Sequence, residues 1–346
     1  MCIRDSHYTN FKGPVTIEEV QDPAPTTHGV VLKVLATGLC LSDWHGWQGH
    51  DSDISLPHVP GHELAGEIVE IGRDVSNWNR GDRVTLPFVC GCGVCPTCYQ
   101  GDPQVCPDQF QPGFTHWGSW AEYVSIHYAD YNLVRIPEQI SDVTAASLGC
   151  RFATSYRGVV EQGKIAAEEY AVVFGCGGVG LSAIMIAAAY GAKVIAVDMK
   201  ESALKKALEI GAHHALSSSV DIVEEIKEIT EGGAHLSVDA IGHEQVVHDG
   251  ISALRRRGRH VQIGLLAPTI SNRAPIPMDK VIAHELSIHG SHGMAASRYP
   301  QMIELILDGK LKPEAMIDRV ITLEKAVAAL PIMDQYEGSG IRVVRV

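Results

Sequence analysis

The sequence predicts an α/β chain in two parts: a β-rich part, then a parallel sheet wrapped by helices. Three observations predict it. Residues 1–150 contain many short β-type runs punctuated by Gly and Pro, at 30–35, 65–71, 83–86 and 121–126. Beyond Ser147 the pattern alternates strand and helix. A glycine-rich turn, with Gly175, Gly177 and Gly180, sits between the first strand and the first helix of that second part. A length of 346 residues suits two domains.

The elements of the second part follow in order. Residues 170–174 form an apolar β run and 179–190 have helical length. A second strand is expected at 193–197 and a second helix at 201–210. Residues 236–240 and 260–263 read as further strands, each preceded by a helical stretch. Residues 295–346 return to mixed character and end in the strand-like 341–346. No internal repeat or low-complexity segment is visible.

Composition narrows the partners. Hydrophobic content of 45% and charged content of 20% describe an ordinary globular chain. Lys and Arg total 28 against 41 Asp and Glu, a net charge of −13, and that field repels phosphate backbones. Nucleic acid is therefore not an expected partner. The first ten residues contain no apolar core of a secretory signal. The longest apolar stretch, 183–197, is broken by Gly191 and Lys193, so it reads as helix then strand and not as a membrane span. A cytoplasmic location is expected. In a reducing compartment the nine cysteines serve metals or catalysis more than disulfides.

The turn at Gly175, Gly177, Gly178, Val179 and Gly180 follows a strand and opens a helix, the context in which G-x-G-x-x-G is informative. The first glycine permits a tight turn, the second lets backbone approach a pyrophosphate, and the third allows close helix–strand packing. The helix N-terminus adds free N–H groups and a positive dipole end. Asp198 closes the second strand about 20 residues on, where a carboxylate accepts from ribose hydroxyls and repels a 2′-phosphate. That favours NAD over NADP. The alternative for Asp198 is a solvated strand-end carboxylate.

Five cysteines lie between positions 90 and 106. Cys92, Cys95, Cys98 and Cys106 can close a tetrahedral zinc site with no open position, and Cys90 is a spare thiol beside them. A redox thiol or an iron–sulfur cluster is the alternative. Three further segments each hold a metal-capable residue: Cys40 in GLCLSDWH, His62 in GHELAGEIVEIG, and Cys150 in LGC. Taken singly, each of these residues is more often an ordinary core or loop residue than a ligand.

Together with the cysteine lobe and the glycine turn, these segments resemble the zinc-containing alcohol dehydrogenases of the medium-chain dehydrogenase/reductase family, with the bacterial tetrameric branch most alike. The resemblance runs from about His7 to Val346; the opening hexapeptide, residues 1–6, does not look like the family's first strand. The resemblance implies a GroES-like, mostly β catalytic domain of residues 1–150 and 293–346, carrying the structural zinc lobe. It implies a Rossmann doubly wound parallel-sheet domain of residues 151–292 for NAD. Cys40, His62 and Cys150 match the catalytic zinc ligands, with the fourth position left to water or substrate. Glu63 matches a carboxylate able to approach that metal, and Asp43 a partner orienting the zinc-bound histidine. Ser42 and His45 match a proton relay, and Thr154 a residue beside the nicotinamide. Cys92, Cys95, Cys98 and Cys106 match the structural-zinc ligands.

Two zinc ions per subunit, NAD, a small alcohol or aldehyde substrate and a homo-oligomer, tetramer or dimer, are thus expected. Trp44, Trp47, Phe88 and Trp117 are candidates to line the substrate cleft. A polyol, threonine or formaldehyde-type dehydrogenase on the same scaffold shares these motifs. A zinc-stabilised cofactor-binding protein without turnover is the rival outside catalysis, against which the joint presence of Cys40, Ser42, His62 and Cys150 speaks.

Overall fold

The computed structural model of the chain describes residues 2–266, 273–335 and 338–346. Its second part is a six-stranded, all-parallel sheet. Tyr170–Phe174 lies inside it. Lys193–Asp198 and then His214–Ser217 flank it on one side. Ala234–Asp239, Leu254–Gln262 and Ser287–Gly290 follow on the other. Strand order reverses beside Tyr170–Phe174, so the loops leaving that strand and Ala234–Asp239 diverge and open a crevice at their carboxyl ends.

The residues explain this sheet. Val172, Val173, Ile195, Ala196 and Val238 are fully buried, since parallel strands are covered on both faces. Parallel neighbours need a crossover, and helices Gly178–Ala189, Glu201–Glu209, Ile222–Ile229 and Glu244–Ser252 supply it. Gly178–Ala189 buries Leu181, Ala183, Ile184 and Ile186 in the largest core cluster of the molecule.

The β-rich part centres on the long strand Val30–Leu39, which pairs antiparallel with Leu64–Ile71, Tyr123–Ile126 and Ile341–Arg345. Arg83–Thr85 and Val134–Arg135 extend one side, and Ile317–Thr322 lies parallel to Ile341–Arg345 on the other. The last strand of the chain thus completes a sheet begun near residue 30.

Three elements differ from the sequence expectation. Cys2–His7 is a strand, paired antiparallel with Thr16–Gln21, although its sequence lacks the family's opening pattern. Backbone pairing tolerates those residues because an edge ladder asks little of side-chain type. The strand expected at 260–263 begins at Leu254, six residues earlier, through a polar run that apolar patterning cannot register. A helical run covers residues 142–162: Asp142–Ala146, Leu148–Phe152, Ala153–Tyr156 and Arg157–Gln162, two of them with turns wider than an α-helix. Ser141 caps it, its Oγ accepting from Thr144 N at 3.1 Å. Wide turns break the 3.6-residue period, so the run escapes pattern reading, and such turns recur at functional sites.

Candidate active site

The site is assembled around Asp43. Helix Leu41–Trp47 starts just after Cys40, and Asp43 in its first turn accepts from Cys40 N at 2.9 Å through Oδ2. Its Oδ1 accepts from Gly61 N at 3.1 Å and meets His62 Nδ1 at 2.9 Å. One buried carboxylate therefore fixes two segments about twenty residues apart. Gly61 has φ +105, and a Cβ there would lie 2.5 Å from Trp120 Cδ1 and 2.7 Å from Trp120 N, so only glycine brings His62 past this point. Cys150 arrives from the helical run, on Leu148–Phe152.

The metal-capable atoms of Cys40, His62 and Cys150 all lie within 4.8 Å of one another, and all three residues are buried or nearly so. His62 Nε2 is buried without a hydrogen-bond partner, while Nδ1 is taken by Asp43. A hydrogen bond from Cys150 holds the Cys40 thiol far below its ordinary range, against burial and with help from Arg151. The Cys150 thiol is pushed up correspondingly, first by the same bond and then by burial. Burial works to lower His62, but the charge and hydrogen bond of Asp43 raise it. Two sulfurs and an orphaned imidazole nitrogen facing one point fit a zinc ion, and three donors leave it one open position. Phe88 and Phe114 flank the His62 ring, with centroids 6.0 and 5.0 Å away.

Glu63 does not join this cluster. It is fully buried, and its Oε1 accepts from Arg151 N at 3.1 Å and from Arg151 Nε at 3.0 Å, while Oε2 binds Arg151 Nη2. Sequence patterning does not single out Arg151; its one signal is a charge in the small and apolar run 145–156. Phe114 likewise has no sequence signal, because its approach to His62 depends on tertiary folding.

Ser42 Oγ lies 3.7 Å from Cys40 Sγ, and His45 follows on the same helix. Their side chains share no direct hydrogen bond. His45 Nδ1 instead meets His50 Nδ1 at 3.0 Å. Burial, then the His50 charge, lowers the pKa of His45 below 6.5. Of the four aromatic candidates, Phe88 stands against His62 and Trp44 against His45, at 5.0 Å. Trp47 packs in the core with its indole N–H donated to Gly13 O at 2.8 Å, and Trp117 donates to Pro57 O at 2.9 Å on the exposed side. Those backbone acceptors satisfy each indole N–H.

The second cysteine group is separate. Cys92, Cys95, Cys98 and Cys106 place all four Sγ atoms within 4.8 Å of one another. Cys95 caps the short helix Pro96–Tyr99, accepting from Cys98 N at 3.4 Å, and this bond draws its thiol down to about 7. Cys106 Sγ accepts from Cys92 N at 3.5 Å. Cys90 stays outside: it is fully buried, its Sγ faces Pro87 O at 3.4 Å, and burial raises its thiol pKa.

The glycine turn sits between Tyr170–Phe174 and Gly178–Ala189 at the crevice. A Cβ on Gly180 would lie 1.6 Å from Gly175 O, whereas one on Gly177 would meet nothing within 4 Å. The third glycine is thus required by packing and the second faces open space. Asp198 braces the turn: Oδ2 accepts from Cys176 N at 2.7 Å and Oδ1 from Lys200 N at 2.8 Å, with lone pairs to spare. Val179 O accepts from Ser155 Oγ at 2.8 Å, joining the turn to the run that carries Cys150. On that run Thr154 is buried with Oγ1 unpartnered, a second orphaned polar atom suited to a bound group.

Residues 26–138 match the alcohol dehydrogenase GroES-like domain, and residues 178–308 match the zinc-binding dehydrogenase domain. The chain is 32% identical to an NAD-dependent alcohol dehydrogenase of Sulfurisphaera tokodaii, over 96% of each chain. It is also 32% identical to a sorbitol dehydrogenase of Halalkalibacterium halodurans, over 90% of each. Among solved structures it is similar to benzyl alcohol dehydrogenase from Acinetobacter calcoaceticus, with 25% identity, a TM-score of 0.92 and coverage of 100% of this chain and 99% of that one.

Proposed function

The chain belongs to the zinc-binding alcohol dehydrogenases with a GroES-like domain, and on that premise we propose that it oxidises an apolar primary or secondary alcohol reversibly to the aldehyde or ketone, the reaction class EC 1.1.1.1, with hydride passing to NAD. The observation that carries the reading is His62: Nδ1 is spent on Asp43, and Nε2 is buried, unpartnered and grouped with two thiols.

Cys40, Cys150 and His62 hold the catalytic zinc, and Cys92, Cys95, Cys98 and Cys106 hold the structural one. Bound zinc supplies a Lewis acid for the alcohol oxygen, and NAD supplies the hydride acceptor. Asp43 takes the Nδ1 proton of His62 in a hydrogen bond and so keeps the Nε2 lone pair bare. Ser42 Oγ would accept the hydroxyl proton of the substrate while passing its own proton on, through an intervening hydroxyl, to His45, whose lowered pKa favours the neutral, proton-accepting imidazole and the return of that proton to solvent. Gly175, Gly177, Gly178, Val179 and Gly180 would cradle the pyrophosphate, Asp198 would accept from the ribose, and Thr154 would face the nicotinamide.

The wall formed by Phe88 and Phe114 suits an apolar substrate. The similarity to a sorbitol dehydrogenase supports a polyol as the second reading. Residues 1–150 with 293–346 form the catalytic domain and 151–292 the NAD domain. The reading includes a cytoplasmic homo-oligomer, tetramer or dimer; among the described residues no helix is long and apolar enough to cross a membrane. The test is NADH absorbance with primary, secondary and aromatic alcohols and sorbitol, before and after chelation. Turnover of apolar alcohols that chelation abolishes is expected; turnover that survives zinc removal overturns the reading.

A further inference from the structure

We propose that the end of the six-stranded sheet where its strands begin carries a second binding site, for a small oxyanion of two or more negative charges, held by the arginines of residues 255–259. It stands apart from the metal centre and from the cofactor turn.

Parallel strands begin together, so Tyr170, Ala234, Leu254 and Ser287 share one end of the sheet. The glycine turn follows Phe174 at the other end, and a five-residue strand keeps the two ends roughly 15 Å apart. At the first end Ala234 pairs with Leu254 and Leu236 with Arg259, so a two-residue advance on one strand spans five residues on its neighbour. The surplus, residues 255–258, bulges from the ladder with Arg257 at φ +60. A bulge of this kind re-aims side chains. Arg255, Arg256, Arg257 and Arg259 all line one groove of about 450 Å³, with Glu169 and Glu285 as its carboxylates. Four guanidinium groups against two carboxylates leave an excess of positive charge, on a chain whose net charge is −13.

One contact in this groove calls for an acceptor. His235 Nδ1 accepts from Tyr170 N at 3.0 Å, so the neutral ring carries its proton on Nε2. Burial, then the charge of Arg255, lowers the pKa of His235 and keeps the ring neutral. Nε2 stands 2.9 Å from Arg255 Nη1, and a guanidinium only donates. Two donors therefore converge, and an oxyanion beside them accepts from both. Arg259 gives Nη1 and Nη2 to Glu169, and its Nε is buried without a partner. That fork fixes one wall. On the other wall Arg257 meets Glu285 at 3.1 Å with both side chains exposed, a pair that opens at little cost. Guanidinium forks match phosphate and carboxylate groups alike, and this shared chemistry defines the ligand.

Isothermal titration calorimetry on the full zinc-loaded chain, saturated with NAD at low salt, tests the proposal. Fructose 1,6-bisphosphate probes for phosphate groups and tricarballylate for carboxylates. At least one should bind once per chain, and the tighter of the two identifies the source. Arg255→Gln and Arg257→Gln should each weaken that binding on the order of tenfold. Glu285→Gln, which releases Arg257, should tighten it about threefold. No binding of either probe at millimolar concentration overturns the proposal. So does binding that none of the three substitutions alters. Binding seen without NAD but lost in its presence also overturns it, because the probe then occupies the glycine turn. If circular dichroism shows Arg255→Gln unfolded, the exposed pair decides: Arg257→Gln must weaken binding and Glu285→Gln must tighten it, and failure of either shift overturns the site.

Discussion

The molecule holds two cysteine centres built on opposite plans. The lobe centre takes four sulfurs from residues 92–106, a span short enough to close almost by itself, and its geometry is maintained by its own N–H···S bonds. The other takes two sulfurs and one nitrogen from residues 40, 62 and 150, brought together by the long strand, the turn at Gly61 and the helical run. It is backed by Asp43 and by the Glu63–Arg151 pair. Four donors close a metal site, and three leave it reactive. The difference teaches that a structural centre is specified locally, while a reactive one is specified by the fold that surrounds it.

Changing one ligand in each centre should separate the two roles. Cys40→Ser is expected to lower kcat/KM by about a thousandfold or more, since the Lewis acid is gone, while melting stays within a few degrees of wild type. Steady-state kinetics and calorimetry would check this; retained turnover would break the contrast. Cys95→Ser should do the reverse. Metal-dependent folding energy is lost from the lobe, so the melting temperature should fall by roughly 10 °C or more, with turnover per folded site largely kept. An unchanged melting curve would show that the lobe is not held by a metal.

Smaller changes sharpen the comparison. Asp43→Asn keeps the shape but weakens the orientation of His62, and should cost roughly 10–100-fold in zinc affinity at the reactive centre only, measured by metal competition. Cys90→Ala tests the thiol that sits beside the lobe without joining it. Loss of one buried sulfur should cost about 1 kcal/mol in urea unfolding and leave the zinc count unaltered.

The same division decides what was legible in the sequence. The strand expected at 170–174 is the one observed, because a five-residue apolar run between Glu169 and the Gly175 turn suits a strand covered on both faces of a parallel sheet. The glycine turn and the lobe cysteines were legible because their meaning lies in close spacing. Cys40, His62 and Cys150 were found by resemblance and not by spacing, and the structure brings them together. Arg151 was invisible because its role depends on Glu63, 88 residues away. Nearness in sequence suggests Trp47 and Trp117 for the cleft, and the structure shows their indole N–H groups bonded to the backbone carbonyls of Gly13 and Pro57. His50, which sequence patterning does not single out, is the hydrogen-bonded neighbour of His45.

Anomalous diffraction at the zinc edge, on crystals of the full chain, tests the central claim most directly. The account predicts two peaks per chain. One sits inside the four lobe sulfurs; the other is bounded by Cys40 Sγ and Cys150 Sγ at about 2.3 Å and by His62 Nε2 at about 2.0–2.1 Å, with a non-protein atom in the fourth position. A single peak in the lobe, or a second peak with Glu63 in place of the open position, would contradict it.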